Sequence, residues 1–232
     1  MSILSRLERG IRSAVESVFG RAFGGGLQPA EIRRRLMTVL TASEQPSEGG
    51  SRVANWFLVD LCPGDLEELG PSLPALTATL IEEIEERALR AGWDTSGPFD
   101  VEFRARPGFA TGQFEVTPER RSGTPGFRVR VVSGPDQGKT FEVAGREVVI
   151  GRQPSAGVAL TDGDASRNHA VLRSDGYRTT LQDLGSTNGT FVNGRRISKQ
   201  EIRPGARIEV GRCVLEISRG RPVWDDGGED RV

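Results

Sequence analysis

The stretch SGPDQGKTFEV, residues 133 to 143, sets Gly, Lys and Thr in nearly the order of a phosphate-cradling loop. Such a loop needs Gly, four residues, then Gly-Lys-Ser/Thr, so that successive backbone N–H groups wrap the phosphates at a helix start. Only three residues separate Gly134 from Gly138, and Thr140, Phe141, Glu142 and Val143 alternate like a strand. Gly134-Pro135-Asp136 is turn chemistry, so the stretch reads as a hairpin connection. A second candidate is nucleophilic. Ser166, His169 and either Asp164 or Asp183 supply the residue types of a hydrolase triad. Ser166 lacks the Gly-x-Ser-x-Gly elbow. His169, followed by Ala170, Val171 and Leu172, reads as a buried side chain that hydrogen-bonds the Ser166 loop in place. The chain is therefore read as a non-enzyme. A third candidate is Arg33-Arg34-Arg35, which on a helix offers cations to nucleic acid. Three consecutive arginines point in three directions, so a solvated face is preferred, with a nucleic-acid-binding regulator as the alternative.

Composition narrows the classes further. The chain has 232 residues, 36% hydrophobic and 27% charged, enough for one large or two small cores. Thirty glycines and 13 prolines suit a turn-rich module. No stretch approaches about eighteen apolar residues, so no membrane span is expected. The opening MSILSRLERGIRSAVESVFG is too charged for a signal peptide, and cytoplasmic residence is the default expectation. Cys62 and Cys213 stand far apart and there is one histidine, so neither a metal centre nor any other cofactor is expected. Residues 1–126 carry 14 Lys and Arg against 18 Asp and Glu; residues 127–219 carry 15 against 10. The second half is thus cationic, which suits an anionic ligand.

The elements that must position these residues change character midway. Leu4, Leu7, Ile11, Val15 and Val18 have helical spacing, ended by Gly24, Gly25 and Gly26. The polar side of this helix mixes Arg6, Arg9 and Arg12 with Glu8 and Glu16, which favours docking on its own domain over a membrane surface. A second helix starts at Pro29. VANWFLVDLC reads as a buried strand, and a third helix runs from a Ser72 cap through Leu73, Leu76, Leu80 and Ile84 to Gly92. FDVEFR and GQFEV add two strands, giving an α+β domain in the order α-α-β-α-β-β. From Phe127 onward short alternating runs, split by Gly, Asp, Asn and Pro, argue a β-sandwich.

Three clusters mark that second half: IGRQPSAGVAL at 150–160, DASRNHAVL at 164–172, and DLGSTNGTFVNG at 183–194. In order and spacing they resemble the signature of the forkhead-associated (FHA) domain, across about residues 127–218. The resemblance implies an all-β sandwich that binds phosphothreonine peptides. A phosphothreonine brings roughly −1.5 to −2 charge and three acceptor oxygens. Arg152 would supply the guanidinium, with Arg167 as a second cation. Ser166 and Thr187 would donate hydrogen bonds, and Asn188 would clamp the peptide backbone. Gly151 and His169 would support these loops, as would Gly189, Asn193 and Gly194 in two Asn-Gly turns. Asn168 would be exposed. The family also implies preference for phosphothreonine over phosphoserine.

The first half, with GGLQPAEIRRRL, the FLVDL strand, the glutamate-rich helix and TGQFEV, resembles the N-terminal domain of actinobacterial FhaA-type proteins. That resemblance implies an adaptor in Ser/Thr-kinase signalling around cell-wall synthesis and division. Its partners would be phosphothreonine proteins, a Ser/Thr kinase, and a protein held by the N-terminal domain. The expected organisation is an α+β domain at 1–117, a linker at 118–126, an FHA sandwich at 127–219 and a frayed polar tail at 220–232. Relatives carry a long low-complexity spacer, whereas this linker is about nine residues. Thr117 and Thr124 each precede Pro and would sit in or beside a flexible joint, open to a kinase and to docking in a neighbouring molecule.

Overall fold

The computed structural model of the chain describes residues 27–48, 50–175, 178–225 and 230–231. The helix expected over residues 4–18 lies outside them. The chain forms two compact units, Met1–Arg121 with Gly227–Val232, and Ser122–Asp226.

The first unit is built around a strand covered on both faces. Helix α1 (Pro29–Ala42) starts on Pro29, with the Glu31 carboxylate accepting from the Gln28 N–H at 3.3 Å. It buries Ile32, Leu36 and Leu40 at helical spacing. The short strands β1 (Gln45–Ser47) and β2 (Gly50–Arg52) pair antiparallel. Strand β3 (Trp56–Leu61) is buried at every position. It pairs in parallel with β4 (Asp100–Ala105) and antiparallel with β5 (Phe114–Arg120). A parallel pair needs a long crossover. Here it is α2 (Pro63–Leu69), a 3₁₀ turn at Gly70–Ser72, and α3 (Leu73–Ala91). Helix α3 buries Leu76, Leu80, Ile81 and Ile84 and ends on Gly92 in the left-handed conformation.

Two expectations for this unit are corrected. Sequence periodicity misses α2, whose seven residues are too few to display it. Ser72 sits at the α3 boundary without a side-chain capping bond, because the 3₁₀ turn already leads into the helix. The arginine run is split as anticipated: Arg33 pairs with Glu83 of α3 at 2.6 Å, whereas Arg34 and Arg35 are exposed. At the bottom of the sheet Asn55 donates to the carbonyls of Pro98 and Arg121 and accepts from the Arg121 N–H. The Arg121 guanidinium lies 3.4 Å from the Trp56 ring centroid.

The second unit is two packed sheets. The first is made of β8 (Glu147–Gly151), β9 (Val158–Ala159), β10 (Ala170–Asp175), β11 (Arg178–Asp183) and β14 (Lys199–Ile202), in the order β14-β11-β10-β8-β9. The other contains β6 (Gly123–Ser133), β7 (Thr140–Ala144), β12 (Thr190–Val192), β13 (Arg195–Ile197), β15 (Arg207–Val210) and β16 (Cys213–Trp224). Its order is β13-β12-β15-β16-β6-β7. Their inner faces supply one core, including Val129, Val131, Ile150, Leu172, Leu181, Ile208 and Leu215. The segment 133–143 is a hairpin connection: β6 turns at Gly134, which has φ of +101°, and β7 follows.

The linker and tail are corrected as well. Residues 118–120 belong to β5 and 123–126 to β6, so Arg121 and Ser122 alone separate the two strands. Residues 220–224 extend β16 alongside β6 through a β-bulge. The glycines that suggest a flexible joint have a packing reason instead. A Cβ on Gly126 would collide with the Arg221 backbone, and one on Gly123 would lie 2.7 Å from the Trp224 ring. Glycine here permits close approach of two strands. Thr117 and Thr124 are therefore half-buried strand residues in register with Leu58 and Val223, not residues of an open joint. Beyond Trp224, Asp230–Arg231 (β17) pairs with Arg120 and Glu119 of β5.

Candidate functional site

One end of the second unit gathers three loops, each leaving a strand of known register. Gly151 ends β8, and the chain then bonds across to the loop at 164–168: Arg152 N–H donates to the Ser166 carbonyl at 2.9 Å, and Gln153 N–H to that of Arg167 at 3.0 Å. This contact requires glycine, because a Cβ at position 151 would run into the Arg167 carbonyl. The Arg152 side chain is exposed, and its Nε donates to the Ala165 carbonyl at 3.3 Å. That bond fixes the plane of the guanidinium beside the Ser166 loop.

The third loop, 184–189, is bound to the second by its own donors. Thr187 N–H donates to Ser166 Oγ at 3.1 Å, so the Ser166 hydroxyl proton is left for another acceptor. Asn188 Nδ2 donates to the Asp164 carbonyl at 2.8 Å. Its second amide hydrogen and its oxygen stay available at an exposed position. Arg152, Ser166, Thr187 and Asn188 thus occupy one rim. Arg167 and Asn168 lie on the same loop as Ser166, and both are exposed.

His169 is fully buried behind this rim. Its Nδ1 accepts from the Ser166 N–H and its Nε2 donates to the Gly189 carbonyl, both at 3.1 Å. These two bonds describe a neutral ring with the proton on Nε2. Burial lowers its pKa, against the opposing pull of the Gly189 carbonyl and the Asp183 charge. The arrangement is not a catalytic triad. Both ring nitrogens serve main-chain groups, and Asp183 is engaged elsewhere.

Asp183 organises the third loop from within. It accepts from the backbone N–H groups of Gly185 and Ser186 and from the hydroxyls of Ser186 and Thr190. Burial pushes its carboxyl up, but these bonds outweigh that and hold it below the usual carboxylate range. Ser186 Oγ in turn accepts from the Gly189 N–H at 3.0 Å. Gly189 has φ of +84°. The second Asn-Gly pair forms the β12–β13 turn, with Asn193 at φ 51° and Gly194 at φ 77°. It stays apart from the rim. Asn193 instead exchanges bonds with the backbone of Arg207.

Two buried carboxylates that sequence reading did not single out brace the second loop. Asp162 accepts from the Arg212 backbone at 2.5 Å and from its guanidinium at 2.8 Å. Arg212 also reaches Asp164 at 3.1 Å. Asp136, in the hairpin turn, accepts from Thr161 N–H and Oγ1, both at 2.7 Å, and from Lys139 at 2.6 Å. Burial pushes the Asp136 carboxyl up, yet the bonds from Lys139 and Thr161 hold it at about 2. Thr161 lies 25 residues from Asp136 and Arg212 lies 50 from Asp162, so no local pattern discloses either pairing. For Ser186 and Asp183 a local signal exists, since Asp and Ser ahead of an Asn-Gly turn favour such bonds.

Comparison with known proteins agrees with both halves. Residues 4–117 match the family described as FhaA, N-terminal domain, and residues 130–220 match the cytoplasmic domain of a type III secretion inner-membrane component. The glycogen accumulation regulator GarA of Mycolicibacterium smegmatis is 32% identical over 100 residues, 43% of this chain and 63% of that protein. An oxoglutarate dehydrogenase inhibitor of Corynebacterium jeikeium is 32% identical over 110 residues, 47% of this chain and 76% of that protein. The FHA domain-containing protein FhaA of Mycobacterium tuberculosis is 34% identical over 41% of this chain, which is 18% of its own length. A solved FHA domain, studied for phosphothreonine-dependent interactions, is 29% identical with a TM-score of 0.37, covering 40% of this chain and 95% of that one.

Proposed function

Because the chain belongs to the FHA-domain proteins and carries an FhaA-type N-terminal domain, we propose that its second unit binds phosphothreonine peptides and that the whole acts as an adaptor in Ser/Thr-kinase signalling. The observation that carries this reading is the meeting of Arg152, Ser166, Thr187 and Asn188 at one rim, with donor capacity to spare on Arg152, Ser166 and Asn188. Arg152 and the Ser166 hydroxyl are the phosphate donors. Arg167 is a further cation on the same loop, and Asn188 holds the peptide main chain. Gly151, His169 and Gly189 fix the loops, and Asn193 and Gly194 shape the neighbouring hairpin. The partners are phosphothreonine-bearing proteins and the kinase that makes them, with a separate protein partner for the first unit. The FhaA-type half is the reason to place the adaptor, within this proposal, near cell-wall synthesis or division.

Among the described residues no helix is long and apolar enough to cross a membrane. Such an adaptor would meet its ligands in the compartment where the kinase works.

Titration of matched phosphothreonine, phosphoserine and unphosphorylated peptides tests the reading. Phosphothreonine should bind best, with the methyl group worth about 1–3 kcal/mol over phosphoserine. Arg152→Ala should weaken binding by about 1.5–3 kcal/mol, the range for hydrogen bonds to a charged group. Equal affinity for all three peptides would sink the assignment.

A further inference from the structure

A further arginine, besides Arg152 and Arg167, lies against the rim, and neither the motif nor the reading above gives it a task. A Cβ built on Gly189 would come 2.5 Å from Arg196 Nε and 2.9 Å from its Cζ and Nη2. The Arg196 guanidinium therefore rests on the Gly189 backbone, one residue from Asn188. It arrives there from β13, where Arg196 faces Phe191 in the β12–β13 register and reaches diagonally back along β12. Arg195, its neighbour, points to the other face by strand alternation.

The pairing of the surrounding charges makes this placement informative. Arg128, Arg130, Arg173 and Arg212 of this unit are each held by a carboxylate. Arg196 is exposed, and among the described residues no carboxylate or carbonyl accepts from it. Acids near the rim are already engaged: Asp162 and Asp164 by Arg212, Asp136 by Lys139 and Thr161, Asp183 by Ser186 and Thr190. A guanidinium with open donors thus borders the ligand site with no internal anion to neutralise it.

We propose that Arg196 is a specificity-determining residue: it pairs with an Asp or Glu side chain flanking the phosphothreonine, so that the site favours acidic phosphopeptides. This rests on the phosphothreonine reading and adds the chemical class of the ligand's flank. Asn188 orients the peptide main chain, and Arg196, beside it, meets a side chain projecting from that main chain. The carboxylate need only reach an exposed, already positioned fork.

The test is an aspartate walk with the full chain. One phosphothreonine peptide in an alanine background is compared with peptides carrying Asp at each flanking position in turn. Wild type should bind at least one Asp peptide about 2- to 5-fold more tightly than the alanine peptide, the range of an exposed ion pair. The gain should shrink as salt is added. Arg196→Gln should erase the gain while leaving affinity for the alanine peptide within about 2-fold, and Arg196→Lys should restore part of it. Equal weakening of all peptides by Arg196→Gln would make the residue a loop packer and overturn the inference. So would a walk with no favoured position. If wild type ignored the phosphate altogether, the phosphothreonine reading would fall first, a result separable from either of these.

Discussion

His169 shows how a single buried side chain can tie together two loops of a proposed binding rim. Its two ring nitrogens join the Ser166 N–H to the Gly189 carbonyl, so it links two of the three loops. His169→Ala would strand both main-chain groups in the interior, at about 1–3 kcal/mol for each. Denaturant unfolding should register that loss. Peptide affinity should fall with it, because Ser166 and Asn188 would lose their common support. The ring is buried neutral with its pKa below the ordinary 6.5, so the unfolded chain binds the proton more readily. Stability should therefore decline as pH drops from 6.5 toward the lowered folded value, then level off. His169→Gln should abolish that step in a plot of urea midpoint against pH. At this scale the ordered motifs make Arg152, Ser166, Thr187 and Asn188 legible in the sequence, because each lies within a short run of neighbours. Asp162, Asp136 and Arg196 are not legible in this way. Their roles depend on which strands lie side by side.

Gly151 belongs to the scale of elements, since its task is to let β8 approach the following loop. Gly151→Ala should push the Arg167 carbonyl away and separate Arg152 from Ser166, costing about 1–3 kcal/mol as an overpacking substitution. Peptide affinity should drop further than the shift in unfolding midpoint alone would give, a comparison that titration and calorimetry can make. Asp183→Ala should act similarly on the third loop. It removes the acceptor for two hydroxyls and two backbone N–H groups, and Thr187 and Asn188 should lose order. Sequence periodicity finds α1, β3 and α3 well, since each is long enough, or apolar enough, to show its pattern. It fails for α2, which is short, and for residues 118–126 and 220–224. There a glycine-rich composition imitates a joint, while the actual demand is two strands packed closer than a side chain allows.

For the whole molecule, the division after Arg121 predicts that residues 122–226, made alone, will fold and keep the phosphopeptide affinity of the full chain. Circular dichroism and the same peptide titration check both points. Acid should unfold this unit in a recognisable way. Asp136 has its carboxyl at about 2 against an ordinary 3.8, so it stabilises the fold above 3.8 and that contribution is lost as pH falls through 2. Asp136→Asn should flatten stability over this window. The ladder of β6 and β16 has a further consequence. Asp225 N–H donates to the Ser122 carbonyl at 2.9 Å, so the chain enters and leaves the sandwich at a single doorway. The turns at 134–139 and 211–213, which brace the ligand loops, close the opposite end of that ladder, roughly 35 Å away at the usual rise per strand residue. A module with doorway and socket at opposite poles is a transplantable cassette. Spliced at Ser122 and Asp225 into a surface loop of an unrelated host, it would leave its socket facing outward and unobstructed.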